Sequence, residues 1–542
     1  MLEGFTPWPD DRAEFYKKEG CWKGLTFGEM LNQRSKRFAN HIAVVDDKGE
    51  LTYQELNERV NQLAAGLQQL GIIQGDRVVI QLPNVIPYVE VVFALFKIGA
   101  LPVFALPSHR YNEISYFCEF AEAKAYIVMD RFTGFDYREL ARQVQKETTQ
   151  LSHVIVVGEE QEFINYSSLF SKEPFTEVEV RGSDVAFLQL SGGSTGLSKL
   201  IPRTHDEYMY TIERSVECCN VTEKTVFLVV LPVSHNYPMS SPGILGTLYA
   251  GGKIVLSLTP SPDEAFPLIE KHRVTMVPLV PPLALHWLDV KPNRQEDLSS
   301  LEVILVGGSK FSAEAAKRME PTFECTLQQV FGMAEGLVNY TRLDDPYETR
   351  MYTQGRPMSP YDEIKVVDDE DREVPPGQPG HLLTRGPYTI QGYYKAPEHN
   401  AKAFTKDGYY RTGDIVSVDK DGYITVEGRE KDQINRGGEK IAAEEVENHL
   451  LAHEAVHDAA IVAKPDYYMG EKSCAFIILR EGYESSKREL KRFLKDRGLA
   501  TYKIPDDFMF VDRFPMTHLG KVSKKDLRAL LVNKQQPLEV KQ

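Results

Sequence analysis

The chain has 542 residues, 42% of them apolar and 26% charged, a balance that excludes a disordered or fibrous protein. Its 63 basic and 78 acidic side chains leave a net charge of −15, which argues against a surface built to wrap nucleic acid. At this length two or more domains are expected.

The six cysteines form no CxxC or Cys/His ligand pattern, as expected of reduced thiols in a cytoplasmic protein. The first residues contain no apolar run of signal-peptide length. No stretch approaches the ~20 apolar residues of a membrane span, so no membrane partner is expected.

In chain order, Leu56, Val60, Leu63, Leu67 and Leu70 recur at helical spacing across Glu55 to Leu70. Gly71 ends that run. Arg77 to Leu82 reads as a buried strand, and Pro87 to Ile98 as a mostly apolar helix closed by Gly99. Asp184 to Leu190, Thr225 to Leu231 and Leu301 to Val306 are further short apolar runs with helical stretches between them. This rhythm predicts α/β architecture with largely parallel sheets covered on both faces.

After Pro357 the pattern changes to short strands at Glu363 to Val367, His381 to Thr384 and Tyr423 to Val426, with Asp421-Gly422 as a hairpin turn. From Asp432 onward, a helix (Ala443 to Leu451), a strand (Ala475 to Leu479), a charged helix (Lys487 to Arg497) and a strand (Phe508 to Val511) suggest a small α+β domain. The end, Lys534 to Gln542, is expected to fray. The predicted division is therefore a large αβ body with a small β subdomain over residues 1–431, and a small α+β domain over 432–542.

The stretch Ser191-Gly-Gly-Ser-Thr-Gly-Leu-Ser-Lys199 follows an apolar strand and precedes a helical stretch. Glycines let backbone N–H groups turn toward an anion. Hydroxyls and one lysine complete a candidate polyphosphate loop. It is not the GxxxxGK[ST] pattern of P-loop NTPases.

This loop resembles the phosphate signature of the adenylate-forming enzymes, and the family's other motifs follow in order. Gln329-Val-Phe-Gly-Met-Ala-Glu335 resembles its adenine and magnesium motif, and Tyr410-Arg-Thr-Gly-Asp414 its ribose motif. Gly428-Arg-Glu-Lys-Asp-Gln-Ile434 resembles its interdomain hinge, and Pro515-Met-Thr-His-Leu-Gly-Lys521 its catalytic-lysine loop. The resemblance runs from about residue 25 to 530.

It implies ATP and Mg²⁺, with Ser191, Gly192, Gly193, Ser194, Thr195 and Lys199 on the phosphates and Glu335 on the metal. Phe331 would stack on adenine, a place where most relatives carry tyrosine. Gly308 and the backbone at Val330 would lie along nucleotide and acid, Asp414 would accept from ribose hydroxyls, and Arg429 would contact ribose or phosphate. Lys521, Glu335 and His235 would be the catalytic residues. Lys521 would bridge the carboxylate and the α-phosphate, offsetting their repulsion. Asp432, with Lys431 second, matches the hinge about which the small domain turns between two half-reactions.

Amino-acid-activating relatives pair the substrate ammonium with an aspartate where this chain has Asn236. The acid therefore lacks an α-amino group, because a buried ammonium without a counter-ion is costly. His235-Asn-Tyr-Pro-Met-Ser-Ser241 and the Gly336 to Tyr340 segment resemble the stand-alone aryl-acid adenylating enzymes of catecholate siderophore assembly.

That implies 2,3-dihydroxybenzoate, with Tyr237 flanking the ring, Asn236 and Ser241 reaching ring hydroxyls, and Val338 closing the pocket. Salicylate stays open as an alternative acid. The acceptor implied is the phosphopantetheine arm of an aryl carrier protein supplied in trans, with free CoA as the alternative. The basic run Lys487, Arg488, Lys491, Arg492 and Lys495 is either a docking patch for an acidic carrier or a solvated helix face. A catalytically silent adenylate-binding protein should have lost Lys521 or Glu335, and both are present.

Overall fold

A computed structural model describes residues 2–191, 198–436, 439–466, 469–497, 499, 501–517 and 521–533, so the fraying expected of Lys534 to Gln542 lies outside the described residues. The first apolar strands build two large sheets. In the nine-stranded sheet, Thr326–Gly332, Val303–Gly307, Met276–Leu279, Val226–Val229, Lys253–Leu256 and Ile42–Val45 run parallel through the centre, with antiparallel strands at both edges. The seven-stranded sheet is parallel apart from one edge, where Leu200–Thr204 runs antiparallel to Val185–Leu190. Strands such as Val303–Gly307 and Leu101–Phe104 are buried at every position. Burial on both faces is why they read as unbroken apolar runs.

The helix Ile86–Ile98 is buried at every position except Pro87 and shares one core with both sheets, as an all-round apolar helix must. It stops at Gly99, whose φ of 68° is left-handed. The helix Tyr53–Gln69 starts two residues before the predicted Glu55. Thr52 and Glu55 cap each other reciprocally there, a start signal that hydrophobic spacing does not carry.

Beyond Pro357 the β subdomain is an antiparallel sheet of Glu363–Val367, Gly380–Arg385, Tyr410–Val418 and Ile424–Arg429. The strand Tyr410–Val418 was not predicted, because Arg411, Thr412, Gly413 and Asp414 interrupt its apolar alternation. Gly422, with φ of 83°, sits in the turn between the last two strands.

From Ile434 the chain enters a separate five-stranded sheet centred on Gly470–Leu479, with a core of its own around Ile434, Val446, Ile461, Ile477 and Leu494. The short turn Glu430–Asp432 links the two sheets. Among the described residues no helix is long and apolar enough to cross a membrane.

At one point of the joint, a carboxylate of the large body holds two side chains of the small one. Asp289, in the helix Pro281–Val290, accepts hydrogen bonds from Arg318 of the large body (2.8 Å), and from His457 Nδ1 (2.8 Å) and Arg480 (2.9 Å) of the small one. Burial raises the carboxyl pKa, but the His457 and Arg318 hydrogen bonds and the Arg480 charge outweigh it and hold the group below the usual carboxylate range.

Asp289→Ala removes both cross-body pairs, each worth about 1 kcal/mol at this partial exposure. Hydrogen exchange should then quicken in Pro281–Val290 and in the helix Ala443–Leu451, and stay slow in Val303–Gly307. Unchanged protection across the docking face would show that Asp289 does not hold it.

Candidate active site

The site lies at the carboxyl ends of the parallel strands, where open α/β sheets leave a crevice. The strand Val303–Gly307 delivers two glycines there. A Cβ on Gly307 would stand 2.8 Å from the Val330 carbonyl oxygen and 3.2 Å from Cζ of Tyr237, so only glycine lets the Tyr237 ring lie against the strand. Gly308 has φ of 90°, and a Cβ there would stand 3.5 Å from Cε of Lys521. The lysine predicted from the far end of the chain thus lies over the strand end predicted to carry nucleotide and acid.

His235 faces the same place. Its Nδ1 accepts the Tyr237 N–H at 3.2 Å and caps the short helix Asn236–Ser240. Desolvation in the cleft, and after it the Lys521 ammonium, push its pKa down to about 3. The imidazole is therefore neutral at physiological pH.

Asp414 faces Arg429 across two antiparallel strands, and its Oδ1 pairs with the Arg429 guanidinium at 2.8 Å. Among the described residues its Oδ2 is buried with no hydrogen-bond partner. Burial raises the carboxyl pKa, against the opposing charges of Arg429 and Lys521. A buried carboxylate oxygen without a donor is costly, and a hydroxylated ligand such as ribose would satisfy it.

Glu335 is buried, and its Oε1 accepts from the Tyr393 hydroxyl at 2.8 Å. Tyr393 also shares a 2.8 Å hydrogen bond with the Tyr410 hydroxyl. Lys199 Nζ stands 5.4 Å from the centre of the Tyr393 ring. Among the described residues no three His, Cys, Asp or Glu side chains gather as a metal cage.

Ser191 and Lys199 close the neck of the phosphate loop. The Ser191 N–H donates to the Lys199 carbonyl at 2.9 Å, and the Lys199 N–H to Ser191 Oγ at 3.0 Å. Gly192, Gly193, Ser194 and Thr195 lie outside the described residues. The expectation that the loop leads into a helical stretch is corrected. Leu200–Thr204 is a strand, fully buried, and the helix His205–Cys218 begins only after it. Pro202 and Arg203 hide that strand in the sequence, because a buried strand is expected to be apolar throughout.

Phe331 is half-buried and Val330 buried on the strand Thr326–Gly332. Its antiparallel neighbour pairs Val338 with Gly332, and a Cβ on Gly332 would stand 3.2 Å from Val338 Cγ2. Tyr237 and Ser241 are buried. The Tyr237 hydroxyl has no partner, and the Ser241 hydroxyl lies beside that of Tyr340. Asn236 Oδ1 accepts from the Tyr208 hydroxyl at 2.7 Å.

Asp432 lies in the short turn Glu430–Asp432. Its Oδ1 pairs with Arg528 at 2.5 Å, and it lines a cavity of about 220 Å³ with Arg429, Glu444 and Lys524. In the predicted basic helix, Lys487 pairs with Asp507 at 3.3 Å and Lys491 bonds the Asp506 carbonyl at 3.2 Å. Part of its charge is therefore engaged locally.

Sequence reasoning missed three site residues. Tyr393 and Tyr208 gave no signal, because aromatic residues at helical or loop positions usually read as core. Arg203 had one: an arginine inside an otherwise buried run must be paired. It forms a fully buried ion pair with Glu207 at 2.5 Å.

Residues 31–394 match the family model described as AMP-binding enzyme, and residues 445–521 the AMP-binding enzyme C-terminal domain. A 2,3-dihydroxybenzoate-AMP ligase of Bacillus subtilis is 64% identical over 98% of this chain and 99% of that protein. A vibriobactin-specific 2,3-dihydroxybenzoate-AMP ligase of Vibrio cholerae is 50% identical over 97% and 98%. Among solved structures, apo MbtA of Mycobacterium smegmatis is 42% identical and superposes with a TM-score of 0.76 over 97% of this chain and 98% of that one.

The lowered His235 pKa predicts a pH dependence of stability. The unfolded imidazole takes up a proton near pH 6.5, and the folded one only at about 3. The contribution of His235 is therefore whole above about pH 6.5 and is lost as pH falls toward 3. His235→Asn keeps a capping side chain and removes the titration. Between pH 6 and 4 its unfolding free energy should fall less steeply than that of the wild type, by the slope of about one proton. Equal slopes in urea titrations would refute the neutral imidazole.

Proposed function

The chain belongs to the AMP-binding enzymes, and on that premise we propose that it is a ligase for an aromatic acid. It joins 2,3-dihydroxybenzoate to AMP, releasing pyrophosphate, and passes the aryl group to the phosphopantetheine thiol of an aryl carrier protein in siderophore biosynthesis. The observation that carries this reading is Lys521 over Gly308, beside His235 and Asp414.

In the first step a carboxylate oxygen attacks the α-phosphorus. The new O–P bond forms as the bond to the β-phosphate oxygen breaks and pyrophosphate departs. Both reactants are anions, so a cation between them is the main requirement. Lys521 supplies it. His235, being neutral, adds no competing charge and shields the acid from water.

Asp414 Oδ2 takes the ribose hydroxyls, and Phe331 offers its face to adenine. Glu335 has one carboxylate oxygen engaged by Tyr393, which leaves the other for a cation. One carboxylate suits Mg²⁺, which keeps several waters and completes its shell with phosphate oxygens. Bound there, the ion would offset phosphate charge.

The acid pocket reads as aromatic and non-zwitterionic. Tyr237 presents its ring beside Gly307, and Asn236 brings no charge to pair with an ammonium. The two ligases at 64% and 50% identity support the dihydroxy acid. In the second step the thiol sulfur attacks the acyl carbon, AMP leaves, and the thiol proton passes to solvent. Lys521 fills the cleft during the first step, so we assign residues 432–542 as a domain that turns about Asp432 and withdraws it. We place the enzyme in the cytoplasm, consistent with six cysteines that form no disulfide.

Pyrophosphate exchange into ATP should depend on 2,3-dihydroxybenzoate, and exchange supported far better by salicylate would reassign the acid. Offered CoA and a phosphopantetheinylated carrier side by side, the enzyme should acylate the carrier, as read by intact-mass measurement. Lys521→Ala should lower exchange by about 10²-fold or more, yet load the carrier from supplied aryl-adenylate at nearly the wild-type rate. Equal loss of both steps would sink the two-position scheme.

A further inference from the structure

Asn236 enters the proposed function only as an uncharged side chain. One end of its amide is engaged by Tyr208. The Tyr208 hydroxyl donates to Asn236 Oδ1 at 2.7 Å. Among the described residues the amide nitrogen has no hydrogen-bond partner, and the residue is only half-buried between His235 and Tyr237. An amide whose oxygen is engaged presents two N–H donors and no acceptor.

The Tyr208 ring has little freedom to move away. It is fully buried in the helix His205–Cys218. Its edge meets Phe187 with centroids 4.7 Å apart at 82°, and Phe27 at 6.2 Å. The Arg203 guanidinium carbon lies 4.7 Å from its centroid. Arg203 is itself fixed by Glu207, with Nε to Oε1 at 2.7 Å and Nη2 to Oε2 at 2.5 Å. A cation over the ring face holds the ring and draws electron density from it, which makes its hydroxyl a better donor. Burial also pushes the phenol pKa above its usual range, so the group stays protonated and can donate.

We propose that Tyr208 is a positioning residue for substrate selection: its hydroxyl fixes the Asn236 amide so that Nδ2 faces the acid as a donor, favouring acids that carry an oxygen on the ring. This rests on the reading that Asn236 faces the bound acid. A site held in one hydrogen-bonding polarity discriminates strongly, because an acid without the matching group leaves it unpaired. Freed from Tyr208, the amide can turn its oxygen toward the acid, and the ring oxygen then loses its donor.

The test is pyrophosphate exchange with 2,3-dihydroxybenzoate and with benzoate, for wild type, Tyr208→Phe, Asn236→Ala and the double variant. Tyr208→Phe removes one hydroxyl and keeps the packed ring. The ratio of kcat/KM for the two acids should fall about tenfold, the worth of one hydrogen bond. In the Asn236→Ala background the same change should leave the ratio where it was. A ratio unchanged by Tyr208→Phe, with both acids losing equally or neither losing, would overturn the proposal and leave the assigned acid intact. A ratio that Asn236→Ala itself does not move would overturn the placing of Asn236 and the proposal together.

Discussion

Repulsion between two anions governs this molecule. An aryl carboxylate and a triphosphate must be held in contact by a chain whose own net charge is −15, so every useful positive charge has to be local. Arg203 is consumed by its buried pair with Glu207. Arg429 is half committed to Asp414. Lys521 is the cation that comes to the end of the strand Val303–Gly307, and it arrives there from the small body.

In the proposed mechanism, docking is therefore part of the chemistry. Lys521 reaches Gly308 from the small body, and Asp289 gathers cations from both sides of the joint. These contacts are polar and partly exposed, each of modest strength. A joint of this kind suits the turning domain of the proposed mechanism better than a large apolar interface would. The pair between Asp432 and Arg528 lies at the turn where the chain crosses from one body to the other.

Beneath the cleft, buried polar groups connect the two halves of the site. Arg203 donates to the carbonyls of Ala334 and Tyr388 as well as to Glu207, and its charge lies over the ring of Tyr208. It therefore fixes the backbone before Glu335 on one side and the support of Asn236 on the other. Buried ion pairs add little net stability, but they set geometry because breaking them strands a charge.

Much of this was legible in the sequence. Apolar runs such as Val303–Gly307 announced parallel sheets, since burial on both faces demands apolar residues throughout. The ordered motifs singled out Glu335, Asp414, Arg429 and Lys521 by resemblance, and the fold brings the charges of Arg429 and Lys521 to bear on Asp414. Local rules also placed Gly99 and Gly422 at turns. The strand Leu200–Thr204, the strand Tyr410–Val418, the clamp at Asp289 and the supports at Tyr208 and Tyr393 were not legible. Each depends on partners far away in the chain: Asp289 meets His457 and Arg480, and Tyr208 meets Asn236. A pattern in sequence records what a residue needs from its neighbours along the chain and from burial. Which distant side chain satisfies a buried or clustered polar group is decided only when tertiary packing closes the space between them.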